Sequence, residues 1–142
     1  MSLNFMMDTL QRISNGKIVL LKMGAFYIAK GRDAVLLNKL LKLKPICLQR
    51  EVCKVGFPIS SLKDYLEKIE DFKYGYVVFD YNSKQNKITQ TIKKEGKINK
   101  EDQERINCFT CRHSDYYYQK EDKYLEALIE FFRERRKRKQ EQ

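Results

Sequence analysis

Strand-like and helix-like segments alternate along the first 92 residues of this 142-residue chain, and that alternation limits the fold more than any other feature. The short β-branched and apolar run from Ile18 to Leu21 predicts a buried strand. From Arg32 to Leu41, apolar residues recur every three or four positions and predict an amphipathic helix. Alternating strands and helices pack as layers around a sheet. We therefore expect an α/β fold in which a mixed β-sheet is flanked by α-helices.

The rest of the chain extends this pattern and ends in a basic helix. We expect one domain, with a core over residues 1–92 and an extension over residues 93–142 that packs on it. The C-terminal helix is predicted to dock by a face that contains Tyr124, Leu125, Leu128, Ile129 and Phe132. The other predicted elements, in chain order, are a helix over Asn4 to Ile13, a strand over Ala25 to Ala29, a strand or hairpin arm over Ile46 to Lys54, a serine-capped helix over Leu62 to Ile69, and a hairpin formed by Tyr74 to Tyr81 and Lys87 to Ile92.

Positive charge restricts the choice of partners. The formal net charge is +10, and the run from Arg133 to Lys139 holds six positive residues and one negative residue. A basic surface attracts phosphate polyanions or anionic lipid whatever the sequence of the partner. The apolar runs are too short to span a bilayer, and the segment from Leu3 to Leu10 lacks the marks of a signal peptide. We therefore expect a cytoplasmic protein with no membrane partner, and we expect its basic run to contact nucleic acid or an acidic protein.

The cysteines raise the question of a metal site. Cys108 and Cys111 stand two residues apart, next to His113, and two thiolates at this spacing supply half of a zinc knuckle. Cys47 and Cys53 would complete a site only if the fold brought them close. In the cytoplasm all four cysteines stay reduced, so they do not imply two disulfides. We predict small apolar packing here, no metal and no cofactor.

The sequence contains no recognisable catalytic set. His113 is its one histidine, and no carboxylate pair stands out from the surface charge. A Gly-x4-Gly-Lys-Ser/Thr loop, which would cradle a nucleoside triphosphate, is absent from the sequence. We therefore expect a protein that is neither an enzyme nor an ATPase.

The stretch Lys22-Met23-Gly24-Ala25-Phe26-Tyr27 begins a series of motifs that occur together in one family. The motifs that follow it in order are Asp33-Ala34, Gly56-Phe57-Pro58, Tyr65-Leu66 and Tyr76-Val77-Val78-Phe79. This series resembles the N-terminal mismatch-recognition domain, domain I, of the MutS DNA mismatch-repair proteins. The resemblance covers residues 4–81 and implies a mixed sheet with flanking helices that contacts DNA.

The resemblance assigns a role to Phe26 and changes the role of Ile28. In the family, the motif Phe enters the minor groove and stacks on the mispaired base, and a Glu two residues later hydrogen-bonds that base. Phe26 occupies the Phe position and Ile28 the Glu position, and an aliphatic side chain neither donates nor accepts a hydrogen bond. We expect the pair to form an apolar wedge that recognises deformability rather than base identity. The simpler interpretation of Phe26 is a core aromatic residue at a strand end.

Basic residues near Phe26 and in the C-terminal run are the candidates for phosphate contacts. Their simpler interpretation is an ordinary solvated face, because single surface charges have no need of a ligand. The candidate nucleic-acid-binding set consists of Phe26, Ile28, Lys22, Lys30, Arg32, Arg135, Arg136 and Arg138, with Lys17 as a further cation near Phe26.

These observations favour a non-catalytic, DNA-binding accessory protein that recognises distorted or deformable duplex. A protein partner would supply any enzymatic activity. Two alternatives remain open at this point. One is a protein-interaction module whose basic helix binds an acidic partner, and the other is an RNA- or hybrid-binding subunit of a larger nucleic-acid-processing complex.

Overall fold

Within residues 3–44, 46–49, 52–98 and 123–141, which are those that the computed structural model describes, the chain forms four α-helices and six β-strands. The helices are α1 (Leu3–Ile13), α2 (Arg32–Leu41), α3 (Leu62–Asp71) and α4 (Lys123–Glu141). The strands are β1 (Ile18–Met23), β2 (Phe26–Lys30), β3 (Ile46–Gln49), β4 (Val52–Pro58), β5 (Tyr76–Asn82) and β6 (Lys87–Lys94), and a 3₁₀ turn over Ile59–Ser61 joins β4 to α3.

The strands form one mixed sheet in the order β3-β4-β2-β1-β5-β6. β1 and β5 run parallel in the centre, and every other neighbouring pair is antiparallel. The parallel pair means that β1 and β5 begin at one edge of the sheet and end at the other. This arrangement confirms the predicted α/β fold with a mixed sheet, flanking helices and a C-terminal helix.

Helices cover both faces of the sheet because successive strand residues point to opposite sides. Ile18 and Leu20 of β1 pack under α2 and α3, whereas Val19 and Leu21 pack under α1 and α4. All four of these side chains are fully buried. The run from Ile18 to Leu21 is apolar at every position because helices cover both faces of the sheet here.

A buried carboxylate ties α1, α2 and β1 together. Asp33 is fully buried at the start of α2, and its Oδ2 accepts hydrogen bonds from the Val19 backbone N–H and from Gln11 Nε2, each at 2.9 Å. Its Oδ1 accepts a hydrogen bond at 3.1 Å from Arg32 Nη2. Burial raises the pKa of Asp33, while the Arg32 charge and these hydrogen bonds oppose the rise. The Asp-Ala motif therefore has a structural function in this chain.

Two details of the predicted elements were wrong. β4 continues past the predicted strand end at Lys54 to Pro58, because β2 supplies a pairing partner from Lys54 to Pro58. Ser61 makes no side-chain cap hydrogen bond, because the 3₁₀ turn already leads into α3 with helical backbone angles. α4 continues through the basic run, as expected for a basic C-terminal helix.

The docking face of α4 also differs from the expected one. Leu125 and Ile129 are 36% and 48% exposed, and Phe132 is only partly buried. The side chains that α4 buries against the sheet are those of Tyr124, Ala127, Leu128 and Phe131, at the i, i+3, i+4 and i+7 positions of one helical stripe. Ala127 is fully buried at this interface, whereas Leu125 is not part of it.

The predicted boundary at residue 92 falls inside β6, which ends at Lys94. Ile98 is buried in the core beneath α2 and α3, and α4 packs on β6 and α1. The Cys108–Cys111 pair, His113 and the side chains of Cys47 and Cys53 lie outside the described residues.

Candidate nucleic-acid interface

Phe26 stands at the tip of a tight hairpin between β1 and β2. Met23 pairs directly with Phe26, so Gly24 and Ala25 form a two-residue loop. Gly24 has a φ of 62°, the left-handed value that the first position of a type II′ turn requires. A side chain at this position would strain the backbone although the space around it is open. The glycine of the Gly-Ala-Phe-Tyr motif therefore fixes how the loop presents Phe26.

The Phe26 ring lies beyond the cover of the helices and is 51% exposed. Its partner across the strand pair on the other side is Pro58, and the Ile59 backbone N–H donates a hydrogen bond to the Ala25 carbonyl at 3.1 Å. Ile59 is itself 44% exposed. We call Gly24, Ala25, Phe26, Pro58 and Ile59 the hairpin edge, and it presents two large apolar side chains to solvent.

A polar groove of about 330 Å³ adjoins the hairpin edge. It lies between the β1–β2 loop and the β5–β6 turn, where Asn82 Oδ1 accepts hydrogen bonds from the backbone N–H groups of Lys84 and Gln85 at 3.0 and 3.1 Å. Two cationic side chains and one carboxylate share this groove, so its charge favours an anion only slightly. The residues that line it are Lys22, Gly24, Asp80, Tyr81, Asn82, Ser83 and Lys84.

Tyr27 faces away from Phe26, as the alternation of strand residues requires. Its ring stacks on Phe57 with a centroid distance of 5.8 Å, in the core beneath α2 and α3. Burial raises the pKa of Tyr27, and the nearby Asp80 carboxylate raises it further. The hydroxyl therefore remains protonated at neutral pH.

The prediction that Ile28 is an exposed neighbour of Phe26 was wrong. Ile28 is only 5% exposed and belongs to the core beneath α1 and α4. It points to the same side of β2 as Phe26 but lies two residues further from the tip, where the helices cover the sheet. A ligand at the hairpin edge therefore does not contact it.

Lys30 and Lys17 were predicted as phosphate contacts, but both are buried. The Lys30 side chain is 7% exposed, with its Nζ 3.8 Å from Asp8, and burial lowers the pKa of this lysine. The Lys17 Nζ lies 3.3 Å from the Glu95 carboxylate. Carboxylates of the same chain therefore pair with the charges of both lysines. Neither side chain is placed to contact a phosphate.

Arg32 is also a structural residue rather than a phosphate contact. Its Nη2 donates to Asp33 Oδ1 and to the Lys17 carbonyl, each at 3.1 Å, and its side chain is 21% exposed. The guanidinium therefore neutralises the buried carboxylate of Asp33. Among the cations that were predicted close to Phe26, Lys22 alone lines the groove at the hairpin edge.

The basic run of α4 lies at the opposite edge of the sheet. Arg135 lines a small cavity with Lys17 and Val77, near the beginnings of β1 and β5. Arg136 and Lys139 line a second groove with Ile13, at the end of α1. Arg138 is exposed, and it is not among the residues that line either of these spaces. We call Arg135, Arg136, Arg138 and Lys139 the basic edge, and the hairpin edge and the basic edge do not form one surface.

Residues 6–107, more than two thirds of the chain, match the family MutS domain I. The chain belongs to the MutS domain I family. Domain I is a recognition domain, so the protein has a fold of the mismatch-recognition type. No curated protein matches the chain. The part that matches MutS domain I includes the hairpin edge and stops before α4.

Two residues of the hairpin side of this MutS domain I fold were missed from the sequence. Ile59, which follows the register partner of Phe26, is the exposed apolar residue of the hairpin edge in place of Ile28, and Lys84 joins Lys22 at the groove. The signal for Ile59 was the Phe57-Pro58 pair, which extends β4 to the level of Phe26. The signal for Lys84 was the Asn82-Ser83 turn, which faces the β1–β2 loop because β1 and β5 are parallel neighbours.

Across residues 3–44, 46–49, 52–98 and 123–141, no group of three or more His, Cys, Asp or Glu side chains is placed to hold a metal ion. The same ranges contain no helix with the length and apolar character needed to cross a membrane.

Proposed function

We propose that the protein is a non-catalytic accessory protein that binds DNA through the hairpin edge and recognises distorted or deformable duplex. The observation that carries this proposal is the position of Phe26, which is half exposed at the tip of a rigid two-residue hairpin in a MutS domain I fold. A core aromatic residue, the simpler interpretation from the sequence, would be covered.

The hairpin edge has the shape and chemistry of an apolar wedge. Proteins that kink duplex DNA insert side chains such as Phe, Ile and Pro between base steps from the minor groove. Phe26, Pro58 and Ile59 lie side by side, and the hydrogen bond from the Ile59 N–H to the Ala25 carbonyl holds the loop against β4. Insertion would remove exposed apolar surface from water while the backbone stays fixed.

The burial of Ile28 determines what such a wedge would recognise. The position that carries the base-reading Glu in the family is here both apolar and covered by α1 and α4. No hydrogen bond to a base is available from this position, so discrimination would come from the energy needed to unstack and bend the DNA. That energy amounts to a few kcal/mol per step and is lower at a mismatched or unpaired base.

Electrostatic contacts beside the wedge come from Lys22 and Lys84. Both line the groove next to Gly24, and we expect them to contact the phosphates beside an inserted ring. Asp80 in the same groove limits the number of counterions that binding would release, so we expect a shallow salt dependence at the hairpin edge. An enzyme partner would act on the DNA that this domain marks.

The test compares Phe26→Ala with Phe72→Ala. Phe72 is 47% exposed, close to the value for Phe26, but follows α3 on another part of the surface. Binding to a labelled duplex with one unpaired base is measured by fluorescence anisotropy at fixed salt. Loss of one stacked ring should weaken binding of Phe26→Ala by about 1–3 kcal/mol, roughly fivefold to 150-fold. Phe72→Ala should bind like the wild type.

Competition by matched duplex, single strand, RNA and RNA–DNA hybrid completes the experiment. The proposal requires the duplex with the unpaired base to compete best. Equal weakening by both variants, or preference for single strands or hybrid, would contradict it. Circular dichroism and a thermal melt of each variant show whether the fold is intact.

A further inference from the structure

A groove of about 290 Å³ lies between the C-terminal parts of α1 and α4. Ile13 and Phe132 line it together with three cations, Arg135, Arg136 and Lys139. The groove thus combines apolar side chains with positive charge at one end of the two helices. It is separate from the hairpin edge and lies outside the part of the chain that matches MutS domain I, apart from Ile13.

An apolar stripe on α4 leads into this groove. Leu125, Ile129, Phe132 and Arg136 are separated by four, three and four residues, which places them on one side of the helix. That side faces α1, because Phe132 and Arg136 line the groove with Ile13. Leu125 and Ile129 are 36% and 48% exposed. The apolar surface of the groove therefore continues along α4 toward its beginning.

We propose that this stripe and groove bind an amphipathic helix of a partner protein, with acidic residues at the end that meets Arg135, Arg136 and Lys139. Amphipathic helices dock in grooves through apolar side chains at i, i+3, i+4 and i+7. The distance from Leu125 to Lys139 along α4 is 14 residues, or about 21 Å, which four turns of a partner helix span. The partner would cover Leu125 and Ile129 and place its carboxylates beside the cations.

The distribution of charge favours a protein over nucleic acid at this site. The backbone of a duplex presents a phosphate charge about every 1.7 Å along the helix axis, and that charged surface offers no apolar contact for Leu125 and Ile129. The positive side chains of the stripe and groove are confined to one end, whereas a phosphate backbone laid along α4 would meet apolar residues over the rest of its length. A second copy of this chain is disfavoured because it would also bring a net charge of +10.

The basic run alone does not carry this inference, because two of its charged residues, Arg133 and Glu134, already form ion pairs. Arg133 Nη1 lies 2.9 Å from the Glu130 carboxylate, and Glu134 pairs with Lys87 at 3.3 Å. The combination of an exposed apolar stripe and cations in the same groove is what specifies an amphipathic partner.

The experiment uses the full chain and two synthetic, fluorescein-labelled 16-residue peptides of identical composition. One places leucines at i, i+3, i+4 and i+7 with glutamates in one terminal turn, and the other is a scrambled order with no stripe. Two variants address the site: Ile129→Asp removes the apolar contact, and Arg136→Glu reverses the groove charge. Lys137→Glu is the matched control, since it makes the same charge change on an exposed part of α4 outside the groove.

The wild type should bind the striped peptide at least about tenfold more tightly than the scrambled peptide, and each site variant should lose about tenfold in affinity. Lys137→Glu should stay within about twofold of the wild type, as expected for a surface charge outside the contact. A second apolar variant, Leu125→Ser, keeps the test valid if Ile129→Asp melts at a lower temperature than the wild type.

Three results would overturn the inference. Equal affinity for the two peptides would mean that charge alone attracts them. Displacement of the striped peptide by a 20-base-pair duplex, with duplex binding that weakens in Ile129→Asp, would make the groove a nucleic-acid surface. A dimer in analytical ultracentrifugation that Ile129→Asp dissociates would make the occupant a second copy of the chain.

Discussion

The hairpin edge and the basic edge lie at opposite ends of the same two parallel strands, and they differ in chemistry. The hairpin edge presents Phe26 and Ile59 with two lysines beside them, whereas the basic edge presents arginines and a lysine around a groove. β1 is six residues long, so about 20 Å of sheet separates the two edges. The cations that were predicted to contact phosphate are thus divided between two separate surfaces and the fold's own ion pairs.

The largest expected effect is on stability and concerns the ion pair between Asp33 and Arg32. Replacing Asp33 by Asn places an amide nitrogen near the Arg32 guanidinium and leaves that charge without its carboxylate. We expect a loss of about 3–5 kcal/mol in the free energy of unfolding, measured by urea denaturation. Asp71→Asn, at an exposed carboxylate of α3, should change stability by less than about 0.5 kcal/mol. Similar effects of the two variants would mean that Asp33 does not hold the helices to β1.

Because the pKa of Asp33 is raised, we expect the free energy of unfolding to depend on pH. Because the pKa of Asp33 is raised in the folded state, the folded protein holds this proton more tightly than the unfolded chain. The part of the stability that is linked to this proton is therefore complete below the ordinary pKa of about 3.9 and is lost as the pH rises through the folded-state pKa, while the hydrogen bonds from Val19 and Gln11 remain. The stability difference between wild type and Asp33→Asn should shrink over that range, measured by urea denaturation from pH 4 upward. An increase of the difference with pH would show that the Arg32 ion pair outweighs burial.

The next largest effect distinguishes Ile59 from Ile28 at the hairpin edge. Ile59→Ser removes exposed apolar surface next to Phe26, and we expect about 1 kcal/mol weaker binding to a duplex with an unpaired base. Ile28→Val removes one methylene from the core, and stability should fall by about 0.5–1.5 kcal/mol while DNA affinity is unchanged. Anisotropy and thermal melts of both variants provide the measurement. Weaker DNA binding by Ile28→Val, with unchanged binding by Ile59→Ser, would mean that Ile28 and not Ile59 contacts the DNA.

A smaller effect is expected for the lysines of the hairpin edge. Lys84→Ser removes one cation from the groove and should reduce the slope of log affinity against log salt by about 1. Lys139→Ser, at the basic edge, should leave the slope for the same short duplex unchanged, because that edge faces away from Phe26. Anisotropy titrations at four salt concentrations measure both slopes. Equal changes in both variants would indicate that one duplex contacts both edges.

The smallest effect is expected for Lys30. Replacing it by Met keeps the volume of the chain while removing a charge that burial disfavours, so stability should stay within about 1 kcal/mol of the wild type. DNA affinity should not change, since the side chain is 7% exposed. A clear loss of affinity in this variant, with an unchanged melting temperature, would return Lys30 to the phosphate contacts.

Features that depend on neighbours along the chain could be predicted from the sequence, and features that depend on pairing could not. The period of apolar residues located β1 and α2, because a helix or strand repeats its buried positions locally. The choice between Ile28 and Ile59 required the register of β2 with β4, which brings together residues about 30 positions apart. Arg32 looked like a surface cation because the sequence does not show that Asp33 is fully buried beside it.

The position of α4 has a consequence for biosynthesis. α4 is synthesised after every other described element, yet Tyr124, Leu128 and Phe131 complete the core on one face of the sheet. Until α4 leaves the ribosome, Phe79 and Tyr81 lack the ring contacts that Phe131 and Tyr124 supply, although the strands that carry them are already available for pairing. A chain truncated before Lys123 would therefore be prone to aggregation. Shortening the protein to its recognition portion requires a replacement for α4 that covers this face.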